Sequence, residues 1–191
     1  MTKIILASSS PRRLELLKTA GFDLEVVKPD CEENVPDGLT PEETVRFLAE
    51  LKGKTVLNSG NYEDLPVVAA DTVVVLENQV IGKPKDRADA EKILSELSGK
   101  THQVYTGVAI FFKGKKSVFS VRSDVTFKNL SAREISSYCD TPEPYDKAGA
   151  YAAQGMSAFM VRRINGSFAN VVGLPVCEVV EQFQELGILE K

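Results

Sequence analysis

Tryptophan is absent from this chain, histidine occurs once, and cysteine occurs three times, at 31, 139 and 177. One imidazole, His102, leaves almost no room for a His-based catalytic triad or a multi-His metal site. It reads as a strand residue without a catalytic part. An odd cysteine count with no C-x-x-C spacing signals neither a disulfide framework nor a zinc site, and it fits a reducing cytoplasm. No apolar run approaches the roughly 18 residues of a membrane span. The opening run through Ala7 is too short for a signal-peptide core, so no membrane is expected as a partner. Internal repeats, low-complexity segments and Pro/Gly/Ser-rich linkers are also missing.

A large excess of charge of one sign is missing too. Lys plus Arg number 23 against 27 Asp plus Glu, a formal charge of −4. Such a chain is a poor generic nucleic-acid binder, though one local basic pocket can still hold a polyanion. What remains is ordinary globular composition, 43% apolar and 26% charged over 191 residues. That length is one domain, residues 1–191, or one domain with two lobes. A metal in such a protein must be held by oxygens, which points to magnesium or manganese.

Strand and helix signals alternate from the start. Ile4–Ala7 reads as a buried strand. Ser10-Pro11 opens a helix, with Ser as N-cap and Pro at its first position, and Gly21 ends it. Leu24–Val27 is a second strand. Thr40-Pro-Glu-Glu43 is a capping box for a helix reaching Lys54 or beyond. Val67–Leu76 is a long apolar strand turned back through residues 77–79. Asp86 caps a third helix stopped by Gly99. Two long strands, His102–Phe112 and Ser117–Phe127, flank a hairpin at Lys113-Gly114-Lys115. Ser131-Ala-Arg-Glu134 is another capping box, Ala158–Ile164 a strand, and Pro175–Leu186 the closing helix. The order predicts an α/β fold with a mixed sheet.

Three segments can carry chemistry. Ser8-Ser-Ser-Pro-Arg12-Arg13 is a strand-to-helix turn. Helix N-terminal amides, hydroxyls and two guanidiniums suit phosphate oxygens, and ordinary capping with two solvated arginines is the alternative. Asp71 interrupts a strand that should be central. A buried, unpaired carboxylate costs several kcal/mol, so Asp71 needs a metal, a cation or an opening to solvent. A backbone-bonded carboxylate at a strand bulge is the alternative there. Glu33, Lys52 and Lys83 are looser candidates, each read alone as a solvated charge. Asp146–Gly155 is rich in small residues, which allows either close backbone approach to a ligand or tight packing.

Together the motifs resemble the Maf family. They are Leu6-Ala-Ser-Ser-Ser-Pro-Arg-Arg13, Ala70-Asp-Thr72, Gly82-Lys-Pro84, Leu97-Ser-Gly-Lys-Thr-His102, Asp146-Lys-Ala-Gly-Ala-Tyr151, Ile164-Asn-Gly-Ser167 and Val172-Gly-Leu-Pro175. They run in order over nearly the whole chain. The resemblance implies a cytoplasmic nucleoside triphosphate pyrophosphatase, often dimeric, using a divalent cation (Mg2+ or Mn2+). It also implies an α/β fold with a mixed, elongated sheet and two lobes around a cleft, similar to the inosine triphosphate pyrophosphatases. Carried over by position, the proton acceptor is Asp71. The selectivity positions are Arg12, Thr72 and Gln154, which match the dTTP/UTP subgroup. The family's acidic and basic cleft residues fall on Glu33, Lys52 and Lys83. With Ser8 and Arg13 of the helix start, Lys52 and Lys83 are expected to bind the substrate, and Glu33 is the candidate metal ligand. Two places depart from the family: Gly53 replaces an alanine, predicting a frayed helix around Lys52, and Tyr151-Ala-Ala-Gln154 replaces Tyr-Gly-Ile-Gln.

The mechanism expected is water attack that splits the triphosphate between its α- and β-phosphates. A nucleotidyltransferase would instead open on a glycine-rich turn, and this turn has three serines and no glycine. A non-catalytic regulator of cell division would need no polar pocket.

Overall fold

The computed structural model describes residues 2–60, 62 and 64–190. In chain order the elements are β1 (Lys3–Ala7), α1 (Pro11–Thr19), β2 (Asp23–Val26), α2 (Pro41–Ser59), β3 (Val67–Leu76), β4 (Gln79–Ile81), α3 (Arg87–Leu97), β5 (Thr101–Phe112) and β6 (Lys115–Phe127). They continue as α4 (Ala132–Cys139), β7 (Val161–Asn165), α5 (Phe168–Val172) and α6 (Val176–Leu186), with short 3₁₀ turns at Glu143–Asp146, Ala148–Ala150 and Met156–Met160. The strands form one seven-stranded sheet in the order β2-β1-β3-β5-β6-β7, with β4 paired to β3. The sheet is mixed: β1 runs parallel to β2 and β3, while β3–β4 and β6–β7 are antiparallel.

The chain divides into two compact units, each assembled from separate stretches. The first takes residues 1–71, 106–121 and 173–191. Its core has two layers of packing. Ile4, Leu6, Val68, Ala70, Val108 and Ile110 meet Leu17 of α1 and Val179 and Phe183 of α6. Alternate residues Ile5, Ala7, Val67 and Ala69 meet Ala49 and Val56 of α2 together with Phe111. This is the near-continuous apolar reading of strands covered on both faces. The second unit takes residues 72–105 and 122–172. Ile93, Leu94 and Leu97 of α3 pack there with Val104, Val125, Phe127, Ile135 and Tyr138.

Local chemistry sets most boundaries. Both capping boxes form: Thr40 and Ser131 side chains accept from the Glu43 and Glu134 amides, and those glutamates reach back to the cap amides. The Asp86 side chain accepts from Asp89 N at 2.9 Å. Ser10 sits at the N-cap of α1 but its side chain makes no capping bond; Ser8 Oγ instead accepts from Ser10 N at 3.1 Å. The strand expected over 158–164 begins only at Val161, because residues 156–160 form a 3₁₀ turn. Gly53 does not fray α2, which runs unbroken to Ser59. A Cβ at Gly53 would lie 2.5 Å from the Phe111 ring, so glycine is what lets this helix lie close against β5.

Candidate functional site

β1 stops at Ala7, where it pairs with Ala69, whereas β3 runs on to Leu76. Asp71 therefore stands two residues past the point at which its parallel neighbour leaves the sheet. Buried residues 67–70 give way to half-buried Asp71, Thr72 and Val73 before burial resumes at Val74. In α/β sheets, the space outside the carboxyl ends of parallel strands is where ligands bind. The chain leaving β1 fills part of it with the Ser8–Ser10 turn and the first turn of α1.

Four side chains gather around Asp71 within the first unit. Lys52 lies on the inward stripe of α2, between Ala49 and Val56, and its ammonium donates to Asp71 Oδ1 at 2.6 Å. It also pairs with Glu33 Oε2 at 3.0 Å, which brings the loop after β2 to the same point. The Lys52 and Asp71 side chains are each 13% exposed, and Glu33 is 50% exposed. This ammonium is the cation that an aspartate in a central strand requires. Arg13 Nε donates to Gly173 O at 2.7 Å and Nη1 to Ser8 Oγ at 3.4 Å. Burial pulls the Arg13 guanidinium below its ordinary pKa, against the attraction of Asp71 and Glu33 and with the repulsion of Arg12. Buried Ser8 accepts from both Ser10 N and Arg13 Nη1, which leaves its hydroxyl proton available to an acceptor.

The other residues singled out in the sequence belong to the second unit, except Arg12, which is half-buried in the first turn of α1. Thr72 follows Asp71 on β3. Lys83 is exposed after β4, where the preceding Gly82 O accepts from Gly149 N at 3.1 Å. Gln154 is exposed in a turn closed by Gly155 N donating to Ala152 O at 2.8 Å. The sequence reading missed Glu143, whose carboxylate accepts from the Tyr138 hydroxyl (2.9 Å), Met156 N (2.9 Å) and Ser157 N (3.2 Å). Its only signal was an acid amid the small and apolar residues preceding Asp146. All three cysteines are free.

Among the described residues no group of three or more His, Cys, Asp or Glu side chains could cage a metal. What the chain does offer is two carboxylates whose oxygens turn to one cationic point, at Glu33 and Asp71. That donor set fits magnesium, which takes one or two carboxylates and completes its shell with water and substrate phosphates. Among the same residues no helix is long and apolar enough to cross a membrane.

A family model described as "Maf-like protein" matches residues 3–186. A dTTP/UTP pyrophosphatase of Geotalea uraniireducens (strain Rf4) is 48% identical over 193 residues, covering 99% of this chain and 97% of that protein. One from Syntrophus aciditrophicus (strain SB) is 45% identical over 98% of this chain and 91% of its own length. One from Bacillus anthracis is 44% identical over 98% and 97%. Among solved structures, the Staphylococcus aureus Ham1 protein superposes with a TM-score of 0.52, covering 97% of this chain and all of that one. At 15% identity that likeness speaks for the fold alone.

Proposed function

The chain belongs to the Maf family, and from that premise we propose that it hydrolyses dTTP and UTP to the nucleoside monophosphate and pyrophosphate. Relatives bearing that name at 44–48% identity over nearly the full chain support the substrate. The observation that carries the chemistry is the Lys52–Asp71 pair, a half-buried carboxylate with a cation on one oxygen beside a serine- and arginine-rich helix start.

In this reading Asp71 accepts the proton of the attacking water. Its Oδ1 is engaged by Lys52, so Oδ2 is the atom assigned to that proton. The water oxygen forms the new bond to phosphorus, the α–β anhydride bond breaks, and the pyrophosphate leaves. Arg12, Arg13, Lys52, Lys83 and the Ser8 hydroxyl bind phosphate oxygens, a constellation of positioning and charge stabilisation. Divalent-metal dependence is general among nucleoside triphosphate pyrophosphatases. Mg2+ or Mn2+, held by Glu33 with water and phosphate, would neutralise charge on the phosphate oxygens. The enzyme is taken to act as a homodimer, which equilibrium sedimentation tests, and in the cytoplasm, which cell fractionation tests.

Arg12, Thr72 and Gln154 choose the base. Uracil and thymine present an N3–H donor between two carbonyl acceptors. The Gln154 amide accepts from N3–H and donates to one carbonyl, and Arg12 or Thr72 donates to the other. Cytosine replaces the donor by an acceptor and one carbonyl by an amine. Each group left unpaired costs roughly 1–3 kcal/mol, so cytosine is disfavoured by about 10²-fold. The test is pyrophosphate release with and without Mg2+ for dTTP, UTP, dCTP, GTP and 7-methyl-GTP. Equal kcat/KM for dTTP, dCTP and GTP, or a preference for 7-methyl-GTP, would reject the assignment. Absence of turnover on every nucleotide would favour a non-catalytic regulator.

A further inference from the structure

The turn that carries Gln154 is held far more firmly than an exposed turn needs to be. Ala152 N donates to Ser157 Oγ at 3.0 Å, and Ser157 Oγ donates to Ala152 O at 2.7 Å, so one fully buried hydroxyl grips both backbone groups of the residue that opens the turn. On the far side the Glu143 carboxylate takes the next two amides, Met156 N and Ser157 N, while Tyr138 donates its hydroxyl to the same carboxylate. Upstream, Ala150 is held at φ +59 with no exposed surface, a left-handed backbone that a residue with a Cβ adopts only when its surroundings impose it. Gly155 fits against Glu143 so closely that a Cβ there would lie 2.3 Å from Oε2. Lys147 Nζ donates to Glu143 O at 2.8 Å, fixing the glutamate's own backbone.

We propose that Glu143 is a positioning residue for base selection: it fixes the Ala152–Gly155 turn so that the Gln154 amide is presented in one orientation. This rests on the reading of Gln154 as a base-recognising residue. A glutamine side chain has three rotatable bonds and an end whose donor and acceptor faces exchange on rotation. Discrimination between uracil and cytosine by such a group requires that the backbone beneath it not move. A carboxylate accepting three donors is suited to that duty, since charge-assisted hydrogen bonds are roughly twice as strong as neutral ones. Burial raises the Glu143 pKa, but the Met156 and Ser157 amides and the Tyr138 hydroxyl outweigh it and leave it below the ordinary carboxylate value, so the acceptor stays ionised at neutral pH.

Steady-state kinetics with UTP and CTP test the proposal in four variants. Glu143→Gln puts a side-chain amide NH2, a donor, against a backbone N–H donor, Gly155→Ala displaces the carboxylate without removing any hydrogen-bonding group, Tyr138→Phe withdraws one donor, and Gln154→Ala removes the reading group itself. Glu143→Gln and Gly155→Ala are expected to lower the UTP/CTP ratio of kcat/KM about tenfold, mainly through a higher KM for UTP with kcat within about threefold. Tyr138→Phe, the mildest change, is expected to lower the ratio about threefold, and it carries the test if the other two fail to fold. A purely structural glutamate would lower stability and slow both substrates alike, leaving the ratio unmoved. If Gln154→Ala lowers the ratio while the folded Glu143, Gly155 and Tyr138 variants keep it within twofold of wild type, Glu143 has no positioning role. If Gln154→Ala itself leaves the ratio unchanged, the reading of Gln154 fails and the positioning proposal falls with it.

Discussion

The Lys52 ammonium lies 2.6 Å from Asp71 Oδ1, with both side chains 13% exposed. An interior ion pair adds little stability against an apolar alternative, yet removing one member strands the other. Lys52 has a second partner in half-exposed Glu33, so the two deletions are not equivalent.

Asp71→Asn keeps an oxygen for Lys52 and removes the group that takes the water's proton. Pyrophosphate release is expected to fall by about 10² to 10⁴, with the unfolding midpoint lowered by only a few degrees, roughly 1 kcal/mol in a domain of this size. A variant retaining more than about a tenth of wild-type turnover would exclude Asp71 as the base.

Lys52→Met removes the ammonium from Asp71 Oδ1 and leaves the carboxylate the longer-range attraction of Arg13. It is expected to cost about 2 kcal/mol or more of stability, a larger loss than Asp71→Asn, and to lower turnover as well. Urea denaturation of both single variants and the double variant checks this. The double variant should be more stable than the sum of the single losses implies, because the buried charge that Lys52→Met strands is then gone, while half-exposed Glu33 is left to water. Additive losses would mean that the two side chains do not interact in solution.

Chelation separates oxygen-bound metal chemistry from the alternatives. Turnover is expected to vanish in excess EDTA and to return with Mg2+ or Mn2+, since carboxylates, phosphates and water are the available ligands. Glu33→Gln should raise the Mg2+ concentration needed for half-maximal rate. Full turnover in EDTA, or an unchanged Mg2+ dependence in Glu33→Gln, would remove Glu33 from the site.

His102 is expected to make the fold sensitive to acid. His102 has no exposed surface, its Nε2 lies 2.8 Å from the Tyr151 hydroxyl, and it packs edge-on against Phe127 and Tyr151. Burial lowers its pKa to about 4 from the ordinary 6.5. The unfolded chain therefore binds the imidazole proton more readily than the folded one. The stability from this site is fully present above pH 6.5 and is lost as pH falls toward 4, in total roughly 3 kcal/mol. Melting temperature measured from pH 7 to 4 should fall less steeply in His102→Gln than in wild type. Parallel curves would show that this imidazole is not a source of acid sensitivity.

Much of this was legible in the sequence, and the reasons differ by element. Three helix starts were readable because Thr40, Asp86 and Ser131 act within one turn of themselves. β3 was readable end to end because strands covered on both faces are apolar throughout, and Asp71 stood out against that background. Residues 158–160 read as strand in the sequence but belong to a 3₁₀ turn, whose first two amides, Met156 N and Ser157 N, are held by Glu143 more than ten residues earlier, and no local pattern carries that information. α5 escaped because five residues are too short to show a period. Gly53 reads as a helix weakness in one dimension and proves to be a close contact with Phe111 in three.

The chain passes between its two units four times, at 71/72, 105/106, 121/122 and 172/173. Neither unit is therefore encoded by an uninterrupted stretch of the gene. A crossover between related genes that exchanges one contiguous block cannot transplant a whole unit without taking part of the other, and a fragment ending anywhere between residues 72 and 172 leaves the first unit without its closing helix α6. Exchanging either unit whole and by itself therefore takes cuts at all four of these points.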